Sequence, residues 1–498
     1  MLFNSLQFLV FLPIVVAVYY IVPDRIKHLW LLVCSYFFYM CWNAVYALLL
    51  LTSTIVTWLC GLGVGRANAS DAAPEKKRRL QKAILIASLV VNLGILFFFK
   101  YFDFALNSLN AVLMRLVGFQ LNRPGFDVLL PVGISFYTFQ ALGYTIDVYR
   151  GDIYPEKSFT RYALFVSFFP QLVAGPIERS KNLLSQLAVP HRFKFENLRE
   201  GLLLMLWGFF MKIVIADRAA LFVDSVYNNY ADFGGVFVFM ATLFFIFQVY
   251  CDFGGYSAIA MGAAKMLGVD LMDNFQTPFL STSISEFWRR WHVSLSSWFR
   301  DYVYIPLGGN RKGTARKYFN ILLTCTASGL WHGANWTYVV WGMLNGGYQV
   351  IGAILKPLRQ KLNTILGLDQ ESLGHKIVCI LFTDMLFLLS MVFFRSSSIS
   401  SALHILRSMI YIHPWNFIDG SLYTVGLDRA NFTLLLLCLA VLTVADILKR
   451  RGVCIRAVIA RQDAWCQAVI IAFSVCFILL FGIWGSAYDA ANFIYFQF

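Results

Sequence analysis

Apolar runs of about twenty residues recur from one end of this 498-residue chain to the other. A bilayer's hydrocarbon core is about 30 Å thick, and about 20 apolar residues of helix are needed to cross it. Runs of that kind occupy 2–22, 28–44, 45–64, 83–101, 128–148, 201–217, 236–266, 317–333, 336–356, 376–395, 432–448 and 465–485. Backbone N–H and C=O groups find no water in the hydrocarbon, so a spanning segment must satisfy them itself. The expected architecture is an all-α polytopic integral membrane protein of about 11–13 transmembrane helices plus re-entrant segments. One membrane domain covers 1–498, with its densest motifs over 250–345. The 161–175 stretch is too short to cross and carries Pro170 and Gly175, with Pro176 following. It reads as a re-entrant hairpin, which survives at membrane depth only inside protein. Segment 282–304 carries too many charges to face lipid and belongs at the interface or in a protein-lined cavity.

Composition agrees. Only 14% of residues are charged, against about 25% in soluble domains. The net charge of +14 fits basic loops on the cytoplasmic side and contact with anionic membrane lipid. Nucleic acid is excluded as a partner, because no basic segment sits in a soluble module. The ten cysteines are scattered without a Cys-x-x-Cys pair and read as small buried hydrophobes. The 2–22 run lacks a positive start and a small-residue cleavage site, so it reads as a retained helix.

Loop charge sets an orientation. Residues 66–82 hold six Lys/Arg, 286–317 hold seven and 449–461 hold five. These are expected in the cytoplasm, and the poorly charged loops near 219–235 and 414–431 outside. Both termini then lie outside, in a multi-pass membrane protein.

Ionisable side chains at membrane depth are costly to hold and are functional candidates. His332 lies in Trp331-His332-Gly333-Ala334-Asn335-Trp336. A buried neutral imidazole is available as a base, Gly333 permits close approach, and Asn335 offers a donor and an acceptor. A structural histidine bonded to a carbonyl is the alternative. His292 lies in Ser285-Glu286-Phe287-Trp288-Arg289-Arg290-Trp291-His292. Arg289, Arg290 and Arg300 could hold a phosphate or carboxylate with their planar forks; equally, they could snorkel to headgroups from an interfacial helix. Asp252, in Asp252-Phe253-Gly254-Gly255, needs a buried partner, for which an arginine or a histidine is expected, and the glycine pair should bend or break its helix. Gly308-Gly309-Asn310 is a tight turn without the lysine pattern of a phosphate loop. No short-range ligand pair supports a zinc site at His292, His332 and Asp252, so no metal is expected.

These blocks resemble the membrane-bound O-acyltransferase superfamily, in the bacterial branch of alginate-type O-acetylation proteins related to teichoic-acid D-alanyl transfer. The likeness rests on Leu130-Pro131-Val132-Gly133-Ile134-Ser135-Phe136-Tyr137, on Asp147-Val148-Tyr149-Arg150-Gly151 and on Phe168-Phe169-Pro170-Gln171. It rests equally on Asp252 to Ser257, Glu286 to Arg311, Trp331-His332-Gly333 and the tail Phe493-Ile494-Tyr495-Phe496, and it spans essentially the whole chain. The resemblance implies a funnel through a many-helix fold with His332 at its constriction as catalytic base, assisted by His292. It implies donor or substrate contacts from Trp288, Arg289, Arg290, Trp291, Arg300, Asp301, Asn335 and Asp252. Tyr495 becomes a possible acyl relay, or else an aromatic interfacial anchor. No cofactor is bound; the acyl donor, acetyl-coenzyme A or an acyl-carrier-protein thioester, is a substrate. The implied partners are that donor or carrier, a polysaccharide acceptor and an extracytoplasmic SGNH-hydrolase-like O-acetyltransferase that completes the transfer. Two other readings stand beside this one: D-alanyl transfer to teichoic acid, and a proton or anion transporter lined by the same residues.

Overall fold

The computed structural model describes residues 1–122 and 130–484, so Tyr495 lies outside the described residues. Among these residues the secondary structure is entirely helical. They divide into two compact units, Met1–Leu202 with Ala260–Met272, and Leu203–Ile259 with Asp273 onward.

In the first unit, α1 is Leu6–Ile21, α2 Lys27–Met40 and α3 Tyr46–Ala69. The fourth helix, α4, runs over Pro74–Val117 through a π-helical turn at Phe97–Tyr101. It is followed by α5 (Ile134–Arg150) and α6 (Phe159–Ser167), then by a single turn at Phe169–Leu172 and by α7 (Ser180–Leu187). The expected re-entrant hairpin is that α6-and-turn segment, and every residue from Tyr162 to Ile177 is buried. Burial inside protein is what an interrupted backbone requires at membrane depth.

The chain then forms α8 (Phe195–Phe209), a π-helical stretch at Phe210–Ala216 and α9 (Asp217–Asn228), followed by α10 (Gly235–Met266). In the second unit come two short helices, α11 (Ile284–Arg290) and α12 (Val293–Phe299), then α13 (Thr314–His332), α14 (Trp336–Ile354) and α15 (Lys356–Ile365). The remaining helices are α16 (Leu373–Arg395), α17 (Ile399–Ser408), α18 (Arg429–Arg450), α19 (Ile455–Ala460) and α20 (Ala464–Phe481).

Among the described residues six helices are long and apolar enough to cross a membrane: α3, α4, α10, α16, α18 and α20; α1 is apolar but shorter. Burial separates their roles. Two-thirds of the most apolar window of α10 (67%) is covered by protein, against 17% for α4 and 6% for α20. An apolar helix left uncovered needs an apolar solvent, so α4 and α20 are lipid-facing and α10 is a core helix. Several runs expected to span are shorter or more polar as helices. The 201–217 run passes from α8 into a π-helical stretch carrying Lys212, and the 128–148 run yields only the 17-residue α5, which buries Gln140 and Thr145.

The glycine pair Gly254-Gly255 does not break its helix as expected; α10 continues unbroken to Met266. The pair instead lets a neighbour in. A Cβ at Gly255 would lie 2.7 Å from the Gly208 carbonyl oxygen of α8 and 3.0 Å from the backbone nitrogen of Lys212. Small residues at helix crossings are how membrane helices gain close packing.

Two of the basic loops assigned to one side of the membrane meet in the second unit. Lys449 pairs with Asp273 at 2.7 Å and Arg450 with Glu286 at 2.8 Å. The C-terminal end of α18 and the start of the 286–317 block therefore share a face.

Candidate active site

A tight helical hairpin carries His332. The α13 and α14 helices meet along Gly329, Gly342 and Gly346, where a Cβ would run into Tyr338 O, Cys325 O and the Cys325 side chain respectively. The turn between them is Gly333-Ala334-Asn335. The Asn335 side chain accepts from Thr337 N at 3.1 Å, capping α14, and donates to the Ser397 carbonyl at 3.1 Å. Asn335 is thus engaged in fixing the turn. Gly333 has ordinary extended torsions (φ −158°, ψ 150°), so its requirement is steric: a Cβ there would enter the Tyr338 ring.

His332, at the last position of α13, is 3% exposed. Its ring stands edge-on to Trp331 (5.1 Å between centroids), Trp341 (5.2 Å) and Phe394 (5.4 Å). The His292 ring lies 6.2 Å away. An oxygen seated beside the line between the two rings would be within reach of both. Sequence reasoning singled out both histidines; the structure brings them together.

His292 sits between α11 and α12 in the left-handed region, φ 45°. Only Thr277 shares that conformation among the described non-glycine residues. Such backbone costs of order 1–3 kcal/mol and persists where surroundings enforce it, often at functional sites. Here the loop around Asn274 enforces it. Val293 N donates to Asn274 O at 3.0 Å, and Asn274 Oδ1 accepts from Ser294 N at 3.2 Å and Ser294 Oγ at 2.9 Å. Asn274 Nδ2 donates to Ser257 Oγ of α10 at 3.4 Å. Nδ1 of His292 lies 3.2 Å from the same Oδ1. That contact is a hydrogen bond only if Nδ1 carries the proton, which places the lone pair on Nε2. Asn274 thereby selects a tautomer, as oriented histidines generally need.

Two indole donors complete the surroundings. Trp288 and Trp341 stand edge-on at 5.6 Å, and neither Nε1–H has an acceptor among the described residues. A buried donor left unsatisfied costs about 1–3 kcal/mol, so such a group calls for an explanation. Trp341, edge-on to the His332 ring at 5.2 Å, thus offers an N–H suited to a substrate carbonyl oxygen.

The remaining residues named from sequence lie apart from that cluster. Trp291 packs in an aromatic core against Phe287, Phe275 and Phe387. Arg290 is engaged with Glu286 at 3.0 Å and the Gln276 carbonyl at 3.0 Å. Arg289 is exposed, and Arg300 is exposed and paired with its neighbour Asp301 at 2.8 Å. Asp252, for which an arginine or a histidine partner was expected, pairs with Lys212 at 2.6 Å, and the lysine ammonium also binds Asp217 at 2.8 Å. All three are buried. The lysine reaches both carboxylates from the π-helical stretch, a wider turn often found at functional positions. Among the described residues no three His, Cys, Asp or Glu side chains form a metal-ligand group.

Sequence reasoning missed Asn274, Trp341, Tyr338, Phe394 and Lys212. Only Trp341 carried a signal, as a second tryptophan five residues after Trp336 on the same helix.

The profile of the membrane-bound O-acyltransferase family matches residues 156–392. The chain is 36% identical to the probable alginate O-acetylase of Pseudomonas putida over the full length of both chains. The chain belongs to the membrane-bound O-acyltransferase family. It is also 33% identical to the peptidoglycan O-acetyltransferase of Helicobacter pylori, covering 82% of this chain and 80% of that one. The teichoic acid D-alanyltransferase of Streptococcus thermophilus is 29% identical over 49% of this chain and 61% of its own. The protein is a multi-pass membrane O-acyltransferase. Membership decides between the acyltransferase and transporter readings of the same buried residues.

Proposed function

We propose that this enzyme moves an acetyl group from a cytoplasmic thioester, on coenzyme A or a carrier protein, towards hydroxyls of an exported cell-surface polysaccharide. The observation that carries the reading is the buried His332–His292 pair, 6.2 Å apart, with the Trp341 indole edge-on to His332 and its N–H without an acceptor among the described residues. In this reading His332 takes the proton of the acceptor hydroxyl. The freed oxygen attacks the thioester carbonyl, and the Trp341 or Trp288 N–H bonds the oxyanion of the tetrahedral intermediate. Collapse breaks the C–S bond, and the thiolate takes the proton back from His332. General-base assistance supplies about 10²–10⁴ in rate. His292, with Nε2 as acceptor, orients the hydroxyl.

Acetate is favoured over D-alanine by the extent of likeness, 33–36% over most or all of the chain against 29% over half of it. The exposed Arg289 and Arg300 and the basic 311–317 stretch would meet an anionic donor or carrier on the cytoplasmic side. Both termini lie outside the inner membrane in this arrangement. Tyr495 then offers an acceptor hydroxyl where an SGNH-hydrolase-like O-acetyltransferase could collect the group.

The test is incubation of the purified full-length protein with radiolabelled acetyl-coenzyme A. Donor hydrolysis or label above background supports acetyl transfer from this donor, and loss of stable label in Tyr495→Phe alone supports the relay. Full activity in Tyr495→Phe removes the relay, and turnover of a D-alanyl-carrier thioester with none of acetyl-coenzyme A replaces acetate by D-alanine.

A further inference from the structure

Far along the chain from His292 and His332, the first unit holds a half-open cavity of about 270 Å³. Three segments line it: 19–31 at the junction of α1 and α2, 158–164 at the start of α6, and 187–191 after α7. Three cations, Arg25, Lys27 and Arg161, and one carboxylate, Asp24, line it, with Ser158, His28 and His191 as further polar groups. Such a concentration of cations facing one space in a chain that is 14% charged needs a reason.

Lys27 is not the ligand-binding group. It is 6% exposed, its ammonium pairs with Asp24 at 2.7 Å and donates to the His191 carbonyl at 3.0 Å, and it lies 5.3 Å from the centre of the Tyr19 ring. It pins the 187–191 segment to the start of α2, and His191 N donates to Tyr19 Oη at 3.3 Å as a second tie. The frame is therefore fixed before anything binds. Asp24 is used up by Lys27, and Arg161 has Glu156 only at 3.8 Å. Arg25 makes no ion pair among the described residues. Two guanidiniums thus face the space with little compensating charge. Leu31, Leu164, Leu187 and Val189 give the lining an apolar part as well, and the cavity lies where the apolar α1 ends and α2 begins.

We infer that this cavity binds the phosphate of an anionic phospholipid headgroup. Guanidinium forks suit phosphate oxygens, and basic pockets between membrane helices recognise anionic headgroups. The apolar side of the lining suits the glycerol and first acyl carbons, which a free phosphate lacks. This site is separate from the acyl-transfer reading and stands or falls without it.

The experiment is native mass spectrometry of the delipidated full-length protein with equimolar phosphatidylglycerol and phosphatidylcholine. Wild type should retain phosphatidylglycerol preferentially. Arg25→Gln should lower that preference about fivefold, the share of one basic residue near an anionic lipid, and Arg25→Lys should keep most of it. Arg79→Gln, an exposed arginine of α4 outside the cavity, should leave it unchanged. Arg25 is exposed, so its variants should fold, and an unaltered melting temperature verifies this. Equal retention of the two lipids, or an Arg25→Gln variant with the wild-type preference, would overturn the site. Displacement of phosphatidylglycerol by millimolar inorganic phosphate alone would overturn the lipid assignment in favour of a soluble phosphate.

Discussion

Substituting Gly333 by alanine adds one methyl group beside the catalytic candidate, and its effect can be worked from geometry. The backbone torsions at Gly333 suit alanine, so no conformational penalty arises. The new Cβ would lie inside contact distance of Cδ2, Cε2 and Cζ of Tyr338. The ring has little room to retreat: Tyr338 is 8% exposed and packs edge-on to Phe394 at 5.0 Å. Phe394 in turn contacts His332 at 5.4 Å and Trp341 at 5.1 Å. Relief must come from moving either the turn or this ring stack, and both hold His332. Overpacking of this kind costs about 1–3 kcal/mol of stability, and a misplacement of about 1 Å can cost 10²-fold in rate. Gly333→Ala should therefore remain folded in detergent with a lowered melting temperature and lose about a hundredfold in acyl transfer. Tyr338→Val removes the three clashing atoms. The double variant Gly333→Ala/Tyr338→Val should thus be no slower than Tyr338→Val alone, a strong non-additivity expected of touching residues. Full activity in Gly333→Ala, or strictly additive losses in the double variant, would refute the claim that the turn positions His332 through Tyr338.

Trp341→Phe keeps a ring beside His332 and deletes the N–H; kcat should fall about 10²–10³-fold, as for loss of one oxyanion donor, and a fall below threefold would remove that role. Asn274→Leu strips the shared acceptor from Ser294 and His292 and should lower unfolding stability by about 1–3 kcal/mol, read by thermal unfolding in detergent, along with activity. Lys212→Met leaves Asp217 and Asp252 facing each other in a buried site and should cost about 3–5 kcal/mol; a melting temperature equal to wild type would mean the triad is not closed as described.

The site was legible in the sequence to the extent that its members are rare. Two histidines within apolar or aromatic blocks stand out because ionisable groups are costly there, and the charged 282–304 segment could not be a lipid-facing helix. Their companions were not legible, because the fold recruits them from distant, unremarkable text. Asn274 lies in a polar loop like any other until its side chain is seen bonding Ser294 and facing His292. Lys212 lies 40 positions before Asp252, hidden in a run that reads as a plain span; only the π-helical stretch turns it towards both carboxylates. The left-handed backbone at His292 has no sequence mark, since glycine is the usual one. Helix length was not legible for the same reason: hydropathy does not register a π-helical interruption at Phe210–Ala216 or the bounds of a 17-residue helix at Ile134–Arg150. Local propensity at Gly254-Gly255 favours a bent or broken helix, but tertiary packing against Gly208 keeps α10 continuous.

The most direct measurement is acetyl transfer by wild type and His332→Ala reconstituted in proteoliposomes, with thermal unfolding and donor affinity measured on the same samples. The account predicts a loss of about 10²–10⁴-fold in transfer with the other two unchanged. Transfer by His332→Ala within a few-fold of wild type would contradict it.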